Sequence, residues 1–478
     1  MNRIKVGIFC SFVMLALFSK NAGAQTQAIG HKSGAAKKYE PNWASIDERA
    51  IPQWWSDAKF GIFIHWGLYS VPAYAPVNEV KGVYEKYAEH YYRRLLDSNQ
   101  LFTNYHKRVY GDNTTYKDFV PLFTAEFFDP AQWAALFKAA GAGYVVLTSK
   151  HHDGYALWPS AQSPGWNSVE TGPKRDLIGD LSEAVRKEGL KMGLYYSLLE
   201  WNNPLYSPKS INKWVDSLMI PQMKDLVSRY QPEVIFADGE WDYNSRELKS
   251  EVFLAWLYNE SAVKDAVVVN DRWGKETRSK HGGYYTTEYD LIGDRQNDNK
   301  IEHAWEESRG IGTSYGYNQF ETLDHYFTSK QLIDLLIDKV SHGGNLLLNV
   351  GPMANGLIPL VMQERLLDIG KWLKVNGEAI YGTKAWSNQP DLKQKDVFYT
   401  IKGKDLFVIC TRWPQQALEI AGLAETGRIS LLGTTAKINF KHSKHKLTIL
   451  PPPLNSETMP CEHAWVFKIA DYKMKVAN

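Results

Sequence analysis

The sequence predicts an irregular (β/α)8 barrel, similar to a TIM barrel, followed by a C-terminal antiparallel β-sandwich. Short apolar runs of strand length recur and mostly alternate with helical segments, a pattern that favours a parallel sheet. Several of these runs end in charged or polar residues, where β/α barrels carry their catalytic groups. After about residue 388 the pattern changes to short strands with turns between them.

Eight strands are predicted for the barrel, and they alternate with helices except near the fifth, sixth and seventh strands. The predicted strands are Phe60–Gly67, Gly143–Lys150, Met192–Leu199, Val234–Ala237, Ala266–Val269, Tyr284–Thr287, the weaker Thr313–Tyr317, and Gly344–Val350. The predicted helices are Asp129–Ala140, Asp176–Glu188, Asn212–Tyr230, Leu248–Glu260, Ser329–Ser341 and Glu364–Val375. A doubly wound open sheet is the alternative, but no glycine-rich phosphate loop follows the first strand.

Local signals set the ends of these elements. Asp129 is predicted to cap its helix, with Pro130 at the first helical position and Gly141 closing it. Pro221 is expected to bend or interrupt the third helix. The barrel is predicted over residues 46–385 and the sandwich over residues 386–478. The strands predicted in the sandwich are Val397–Ile401, Asp405–Ile409, Arg428–Leu432 and Ala464–Lys468.

Composition narrows the classes of function. The 478 residues carry a net charge of +2, with 55 basic and 53 acidic residues. The net charge is therefore too small to favour binding to nucleic acid or to a membrane surface. The chain is long enough for two or three domains and a large core, and a homo-oligomer is compatible with it. Its 17 Trp and 27 Tyr indicate either core filling or stacking on sugar rings.

The first residues are typical of a secretory signal peptide. Basic residues precede an apolar run from Val6 to Phe18, and small residues follow at Ala22–Ala24. We therefore expect a signal peptide over residues 1–24, cleaved near Ala24, a flexible leader over 25–45, and a periplasmic or secreted protein. The apolar run is too short to span a bilayer, and no later segment is long enough.

Three cysteines occur, and Cys10 lies inside the predicted signal peptide. The sequence leaves open whether Cys410 and Cys461 pair, since two cysteines do not make a disulfide framework. No companion ligands lie near them at zinc spacing.

Asp238 is predicted to be a catalytic nucleophile. It follows the buried strand Val234–Ala237, and the carboxyl end of a barrel strand is where catalytic groups lie. A nucleophilic carboxylate must be ionised, and a neighbouring donor such as Arg272 would keep its pKa low. A helix cap or a structural ion pair is the alternative. Glu240 and Asp242 lie on the loop beyond the strand and are interpreted as supporting acids.

The predicted strand ends carry carboxylates, imidazoles and an arginine, with aromatic residues beside them. The strand ends are His65, His151, His152, Glu200, Asp238, Arg272 and Glu288, and the aromatic residues are Trp66, Tyr195, Trp201, Trp241, Trp273 and Trp305. Such a pocket, without a cofactor loop, is typical of a glycosidase, which needs one nucleophile and one proton donor. Glu288 is the expected acid/base, with a pKa raised by aromatic surroundings, and a solvated loop glutamate is the alternative.

A metal site is disfavoured at His151-His152-Asp153. Adjacent residues of a strand point to opposite faces, so two neighbouring histidines rarely bind one ion. Neutral imidazoles that hydrogen-bond sugar hydroxyls fit better, and we predict neither a metal nor a cofactor. His65 can act in the same way, although a lone strand histidine is often a core residue.

Five motifs resemble retaining α-L-fucosidases of glycoside hydrolase family 29, and the animal-type branch in particular. The similarity runs from about Trp43 to Trp386. The motifs are Phe60–Gly67, Lys150–Gly154, Tyr195–Trp201, Asp238–Trp241 and Val269–Trp273. The resemblance implies a fucosylated glycan as substrate, release of terminal α-L-fucose with retention through a covalent fucosyl-enzyme, and no metal.

The resemblance also assigns individual roles. It implies that Asp238 is the nucleophile, that Glu288, which follows Gly-Gly-Tyr-Tyr, is the acid/base, and that Tyr315 lies against the C5 methyl group of fucose. The other implied substrate-binding residues are His65, Glu79, His151, His152, Tyr195, Trp241 and Arg272. Many members have Ser-Glu-Trp where this chain has Asn78-Glu79-Val80, so the wall that the tryptophan forms must be built differently here. A galactoside-specific glycosidase, a non-catalytic glycan-binding protein and a metal-dependent hydrolase are the alternatives.

Overall fold

The computed structural model describes residues 37–78, 80, 82–201, 203–289, 303–387, 396–443 and 446–474. The predicted signal peptide and the first part of the predicted leader lie outside these residues. No helix in the described ranges is long and apolar enough to cross a bilayer.

Eight parallel strands form the central sheet, as predicted. They are β1 (Phe60–Ile64), β2 (Tyr144–Lys150), β3 (Lys191–Ser197), β4 (Val234–Asp238), β5 (Val268–Val269), β6 (Tyr285–Glu288), β7 (Trp305–Gly310) and β8 (Asn345–Val350). Their order is β5-β4-β3-β2-β1-β8-β7-β6. A bridge between Asn270 and Tyr284 joins the two outer strands, and Tyr284 N donates to Val269 O at 3.0 Å. The sheet therefore curls into a barrel whose β5–β6 seam is the weakest contact.

The predicted seventh strand, Thr313–Tyr317, is wrong. The strand between β6 and β8 is β7, and it was missed because its sequence, Trp-Glu-Glu-Ser-Arg-Gly, is mostly polar. All six residues are buried. Glu307 accepts hydrogen bonds from Arg309 and Thr287, so internal pairing replaces the apolar pattern. The segment Thr313–Tyr317 instead forms a bend beside the site described below.

In the described part of the chain the helices confirm the predicted set, and four further helices, α1 to α4, precede it. They are α1 (Trp43–Ile46), α2 (Gln53–Ala58), α3 (Tyr91–Leu96), α4 (Gln100–Tyr110), α5 (Pro130–Ala139), α6 (Leu177–Lys187), α7 (Ile211–Trp214), α8 (Ile220–Tyr230), α9 (Ser250–Asn259), α10 (Ser329–Ser341) and α11 (Leu360–Asn376). Asp129 caps α5, accepting from the backbone N–H groups of Ala131 and Gln132 at 2.9 and 3.1 Å. A π-helical turn, Val215–Met219, separates α7 from α8 next to Pro221, whose missing N–H interrupts the α pattern.

The C-terminal region is antiparallel, as predicted. Its strands are β9 (Lys384–Ala385), β10 (Val397–Lys402), β11 (Asp405–Cys410), β12 (Leu418–Ala421), β13 (Leu423–Glu425), β14 (Ile429–Leu431), β15 (Asn439–Ser443), β16 (Lys446–Leu450), β17 (Trp465–Ile469) and β18 (Lys473–Met474). They form a five-stranded sheet β14-β17-β11-β10-β9, a three-stranded sheet β12-β16-β15, and the pair β13–β18. Side chains such as Val408, Ile420, Leu447 and Phe467 share one apolar core.

Cys410 and Cys461 are both free thiols in this region. Cys410 is buried on β11, and the Cys461 thiol donates to the Ala464 carbonyl at 3.2 Å. Trp372 of α11 donates from its indole nitrogen to the same carbonyl at 2.8 Å. The C-terminal sheets thus pack on the helical shell of the barrel.

Candidate active site

The carboxyl ends of the barrel strands surround a cavity of about 300 Å³. The residues predicted for the site that line this cavity are His65, His151, His152, Tyr195, Asp238, Trp241, Arg272, Glu288 and Tyr315. Glu79 lies outside the described residues. The barrel therefore brings together side chains that are more than 200 positions apart in the chain, from His65 to Tyr315.

Asp238, the last residue of β4, is buried, and each of its carboxylate oxygens accepts a hydrogen bond. Its Oδ1 accepts from Arg272 Nη1 at 2.7 Å, and its Oδ2 accepts from the Tyr195 hydroxyl at 2.8 Å. Burial raises the pKa of the Asp238 carboxyl, but the charge and hydrogen bond of Arg272, together with smaller contributions from His152 and Arg278, hold that pKa well below its usual range. The carboxylate is therefore ionised at any physiological pH, as a nucleophile requires.

Glu288, at the end of β6, shares the same arginine. Its Oε2 accepts from Arg272 Nη2 at 3.2 Å, and its Oε1 accepts from the Tyr87 hydroxyl at 2.7 Å. Because both bonds start from one planar guanidinium, the nearest oxygens of Asp238 and Glu288 are at most about 8 Å apart. That separation suits two carboxyl groups that flank a single glycosidic bond.

Arg272 is held rigidly between the two acids. Its Nε donates to Thr286 Oγ1 at 3.0 Å, and that hydroxyl donates to Asp271 Oδ1 at 2.7 Å. The guanidinium also lies 5.0 Å from the centre of the Phe236 ring. The positive charge is thereby fixed at one place, and it stays there whichever acid is neutralised during a reaction.

The hydrogen-bond network determines the tautomer of His65. Asn349 Nδ2 donates to the Tyr315 carbonyl at 2.7 Å, so Asn349 Oδ1 is the acceptor for His65 Nδ1 at 2.7 Å. Burial lowers the pKa of His65 to about 3, so the ring is neutral. Its Nε2 therefore carries a lone pair that can accept a hydrogen bond from a hydroxyl group.

The same argument applies to His152. The Ser197 hydroxyl donates to the Leu199 carbonyl at 2.6 Å, so it accepts from His152 Nδ1 at 2.6 Å. Burial lowers the pKa of His152 to about 4. Its unprotonated Nε2 lies 3.6 Å from Asp238 Oδ2 and can accept a hydrogen bond from a hydroxyl group bound beside that carboxylate.

His151 completes the imidazole group on this wall of the cavity. Its ring stacks on Tyr195 with centroids 5.6 Å apart, and burial lowers its pKa well below the usual range. Its Nδ1 is buried without a hydrogen-bond partner among the described residues. A buried polar atom of this kind is expected to gain a partner from solvent or from a ligand.

A segment between β1 and β2 supplies site residues that sequence reasoning missed, and they are Tyr84, Tyr87, Glu89, His90 and Arg94. Glu89 is buried and accepts from Gly316 N at 2.8 Å and from Ser314 Oγ at 3.2 Å. Burial raises its pKa to about 7. The available signal was an acid among aromatic residues in Tyr87-Ala88-Glu89-His90.

Several residues expected at the strand ends lie elsewhere. Trp66, Trp273 and Trp305 are buried in the core, and Trp305 begins β7 at the opposite end of the barrel. Glu200 pairs with Lys150 at 3.4 Å, and it lines a neighbouring groove together with Trp201. A strand-end position in the sequence did not reveal which way these side chains point.

The two acids beyond β4 do not line the cavity, which agrees with their interpretation as supporting residues. Glu240 is buried and accepts from Arg278 Nε at 2.5 Å, and burial raises its pKa. Asp242 is exposed and accepts from the Tyr206 hydroxyl at 3.2 Å. Arg278 reaches the cavity wall, so Glu240 acts on the cavity through that arginine.

A closed parallel barrel that presents two carboxyl groups across a cavity of this size is the architecture of a glycoside hydrolase. The family model for α-L-fucosidase matches residues 26–378, and the model for the α-L-fucosidase C-terminal domain matches residues 389–470. The chain belongs to the α-L-fucosidase family.

Similar proteins span almost the whole chain. The tissue α-L-fucosidase of Homo sapiens is 42% identical over 448 residues, which cover 91% of this chain and 93% of the human protein. The α-L-fucosidase of Dictyostelium discoideum is 47% identical over 365 residues, covering 74% of this chain and 76% of the relative. The crystal structure of Thermotoga maritima α-fucosidase matches with a TM-score of 0.76 at 38% identity, covering 91% of this chain and all of that one.

Proposed function

We propose that the protein is an exo-α-L-fucosidase that releases terminal α-L-fucose from glycans with retention of configuration. The observation that carries the proposal is the ionised Asp238, which Arg272 joins to Glu288 in a cavity large enough for one sugar. The family relationship supports the choice of sugar, because the related Thermotoga maritima structures include a complex with fucose.

In the first step an Asp238 oxygen attacks C1 of the fucosyl unit while Glu288 gives a proton to the glycosidic oxygen. The C1–O bond breaks, the aglycone leaves as an alcohol, and a fucosyl ester of Asp238 remains. Asp238 loses its charge in this step, and Arg272 then pairs with the carboxylate newly formed at Glu288. The fixed guanidinium therefore stabilises the negative charge on both sides of the step.

In the second step Glu288 accepts a proton from water, and the resulting hydroxide attacks C1. The ester bond breaks, α-L-fucose leaves, and Asp238 returns to its ionised form. Two displacements at one carbon give net retention. Tyr87, which donates to Glu288 Oε1, holds this carboxyl in position for both proton transfers.

The remaining cavity residues select the sugar. The Nε2 lone pairs of His65 and His152 accept hydrogen bonds from fucose hydroxyls, and His151 Nδ1 gains its partner in the same way. The ring of Tyr315 lies 4.8 Å from that of His65 and packs against the C5 methyl group. Glu89 takes the part that the resemblance assigned to Glu79, since Glu89 lies in the cavity.

Tyr84, Tyr87 and His90 replace the wall tryptophan that is absent at Val80. All three line the cavity, and the Tyr84 and Tyr87 rings meet edge to face with centroids 5.5 Å apart.

The signal peptide over residues 1–24 supports secretion or a periplasmic location. We further propose that the mature chain has two domains, the catalytic barrel over residues 46–385 and the β-sandwich over residues 386–478.

The test compares hydrolysis of a chromogenic α-L-fucoside with that of the matching β-D-galactoside, in buffer with and without a chelator. We expect hydrolysis of the fucoside alone, unchanged by the chelator. The anomer released first, followed by proton NMR, should be α-L-fucose. Preference for the galactoside, β-L-fucose as the first product, or loss of activity in chelator would each contradict the proposal.

A further inference from the structure

A second depression adjoins the cavity and has about twice its volume. This depression, which we call the outer groove, measures about 630 Å³ against about 300 Å³ for the cavity. His90, Arg94 and Trp241 line both. A chain of sugars whose terminal unit occupies the cavity therefore passes directly into the outer groove, which has room for about two further units by the ratio of volumes.

Aromatic side chains dominate one side of the outer groove. The Trp241 side chain is 45% exposed although its ring lies 5.2 Å from that of His152, so one of its edges faces the cavity and the rest faces outward. Tyr206 stands further out and is buttressed by Trp214 and Tyr243, with ring centroids 5.1 and 5.3 Å away. Rigid, partly exposed rings of this kind suit the apolar faces of pyranoses.

Charged residues of both signs lie among these rings. Arg93 pairs with Asp97 at 2.9 Å, and Asp242 accepts from the Tyr206 hydroxyl at 3.2 Å. Arg94 uses one of its donors for the Tyr84 carbonyl, at 3.0 Å. Because charges of both signs are mixed, the outer groove does not select for a ligand with a net charge of either sign. Its side chains offer donors and acceptors for hydroxyl groups. This mixture fits a neutral, polyhydroxylated ligand.

The geometry points to an aglycone site: the outer groove binds the neutral oligosaccharide that carries the fucose, through Trp241, Tyr206 and Asp242. The preferred substrates are therefore fucosylated oligosaccharides of three or more sugars rather than fucosides of small alcohols. This inference rests on the proposed function and deepens it. Binding energy gained in the outer groove lowers the barrier at the cavity, so it raises kcat/KM for the longer substrates.

The experiment compares two substrates, a neutral fucosylated tetrasaccharide and α-L-fucosyl fluoride, whose leaving group is a single atom that does not reach the outer groove. Tyr206→Ala removes a ring from the groove, and Asp242→Asn removes a charge without changing shape. For each variant we expect kcat/KM on the tetrasaccharide to fall about tenfold, with kcat/KM on the fluoride within about twofold of wild type.

Phe127→Ala is the matched control for loss of an exposed ring, because Phe127 is 56% exposed and lines neither depression. It should leave both substrates unaffected. Equal losses on the two substrates, or no loss on the tetrasaccharide in either groove variant, would overturn the aglycone site. Failure of the wild type to cleave the fluoride would instead contradict the proposed function, so the two failures are distinguishable.

Discussion

Two buried carboxyl groups of the same barrel, Asp238 and Glu306, have pKa values shifted in opposite directions. Asp238 ends β4, and the Arg272 guanidinium keeps its pKa well below the usual range despite burial. Glu306 is the second residue of β7, deep in the sheet, where burial raises its pKa to about 7. Its Oε2 accepts from the Tyr144 hydroxyl, and its Oε1 has no hydrogen-bond partner among the described residues.

The difference lies in the partner rather than in burial. A cation beside a buried acid keeps it ionised and available for attack, whereas a phenol donor does not offset burial, so the pKa of the acid rises. The first arrangement opens into the cavity, and the second does not line it. We therefore propose that Asp238 acts in catalysis and that Glu306 is structural, and the following variants test that contrast.

The largest effect is expected from Asp238→Gly. Without the nucleophile, kcat/KM should fall by at least about 10³-fold, because no other carboxylate can form the ester. Azide should restore part of the activity by attacking C1 from the vacated side, and the product should be β-L-fucosyl azide. Asp112→Gly, at a residue whose side chain is 76% exposed, should behave as wild type. Full activity of Asp238→Gly without azide would contradict the assignment.

The next largest effect is expected from Glu288→Gln. Loss of the proton donor should lower kcat/KM about 10²- to 10⁴-fold for fucosides with poor leaving groups, and much less for fucosyl fluoride. Azide should accelerate this variant too, but it attacks the fucosyl ester, so the product should be α-L-fucosyl azide. The two variants thus give opposite anomers, measured by NMR. The same anomer from both would show that the roles are misassigned.

Arg272→Gln should make Asp238 resemble Glu306. With the charge removed, burial raises the Asp238 pKa, so a higher pH is needed to ionise this carboxyl. The acid side of the pH profile of kcat/KM therefore shifts to higher pH. At pH 7 we expect a loss of about 10²-fold. Arg272→Lys keeps a positive charge but loses the planar guanidinium that donates to both carboxylates. The acid side of its pH profile should therefore stay nearer to that of wild type. Identical pH profiles for the Gln variant and wild type would refute the role given to Arg272.

Glu306→Gln should change activity least, by no more than about twofold. It should change stability instead. Burial raises the pKa of Glu306 from its ordinary value of 4.5 to about 7 in the folded protein. Between these pH values the folded wild type retains a proton that the unfolded chain releases, so its free energy of unfolding decreases as pH rises. The variant lacks this loss, which is at most about 3 kcal/mol. Its melting temperature relative to wild type should therefore rise from pH 5 to pH 8, and a relative fall would contradict the account.

The sequence predicted the barrel well where strands were apolar and failed where a strand was polar. β1 to β4 and β8 are continuous apolar runs of the type that periodicity detects. β7 was missed because its buried charged residues find partners only in the folded chain, where Glu307 accepts from Arg309 and Glu306 accepts from Tyr144. The strand β15 in the C-terminal sheets escaped because all five of its residues are exposed, which leaves it without an apolar pattern.

The site was predicted residue by residue where a side chain ends a strand, as Asp238 and Glu288 do. The wall of the cavity was not predicted, because Glu89 and His90 lie in the short 3-10 helix Ala88–His90, and Tyr87 directly precedes it, in the long connection between β1 and β2. No local pattern shows that such a segment folds over the strand ends. The tautomers of His65 and His152 also depend on Asn349 and Ser197, which are distant in sequence.

The most direct test of the account is to trap the covalent intermediate. A 2-deoxy-2-fluoro-α-L-fucosyl fluoride should form a fucosyl ester that hydrolyses slowly, because the electron-withdrawing fluorine destabilises the cationic transition state while the fluoride leaves readily. Intact-protein and peptide mass spectrometry should then find one label per chain, on Asp238. A label on Glu240, Asp242 or Glu288, or an inactivated enzyme without any label, would contradict the central claim.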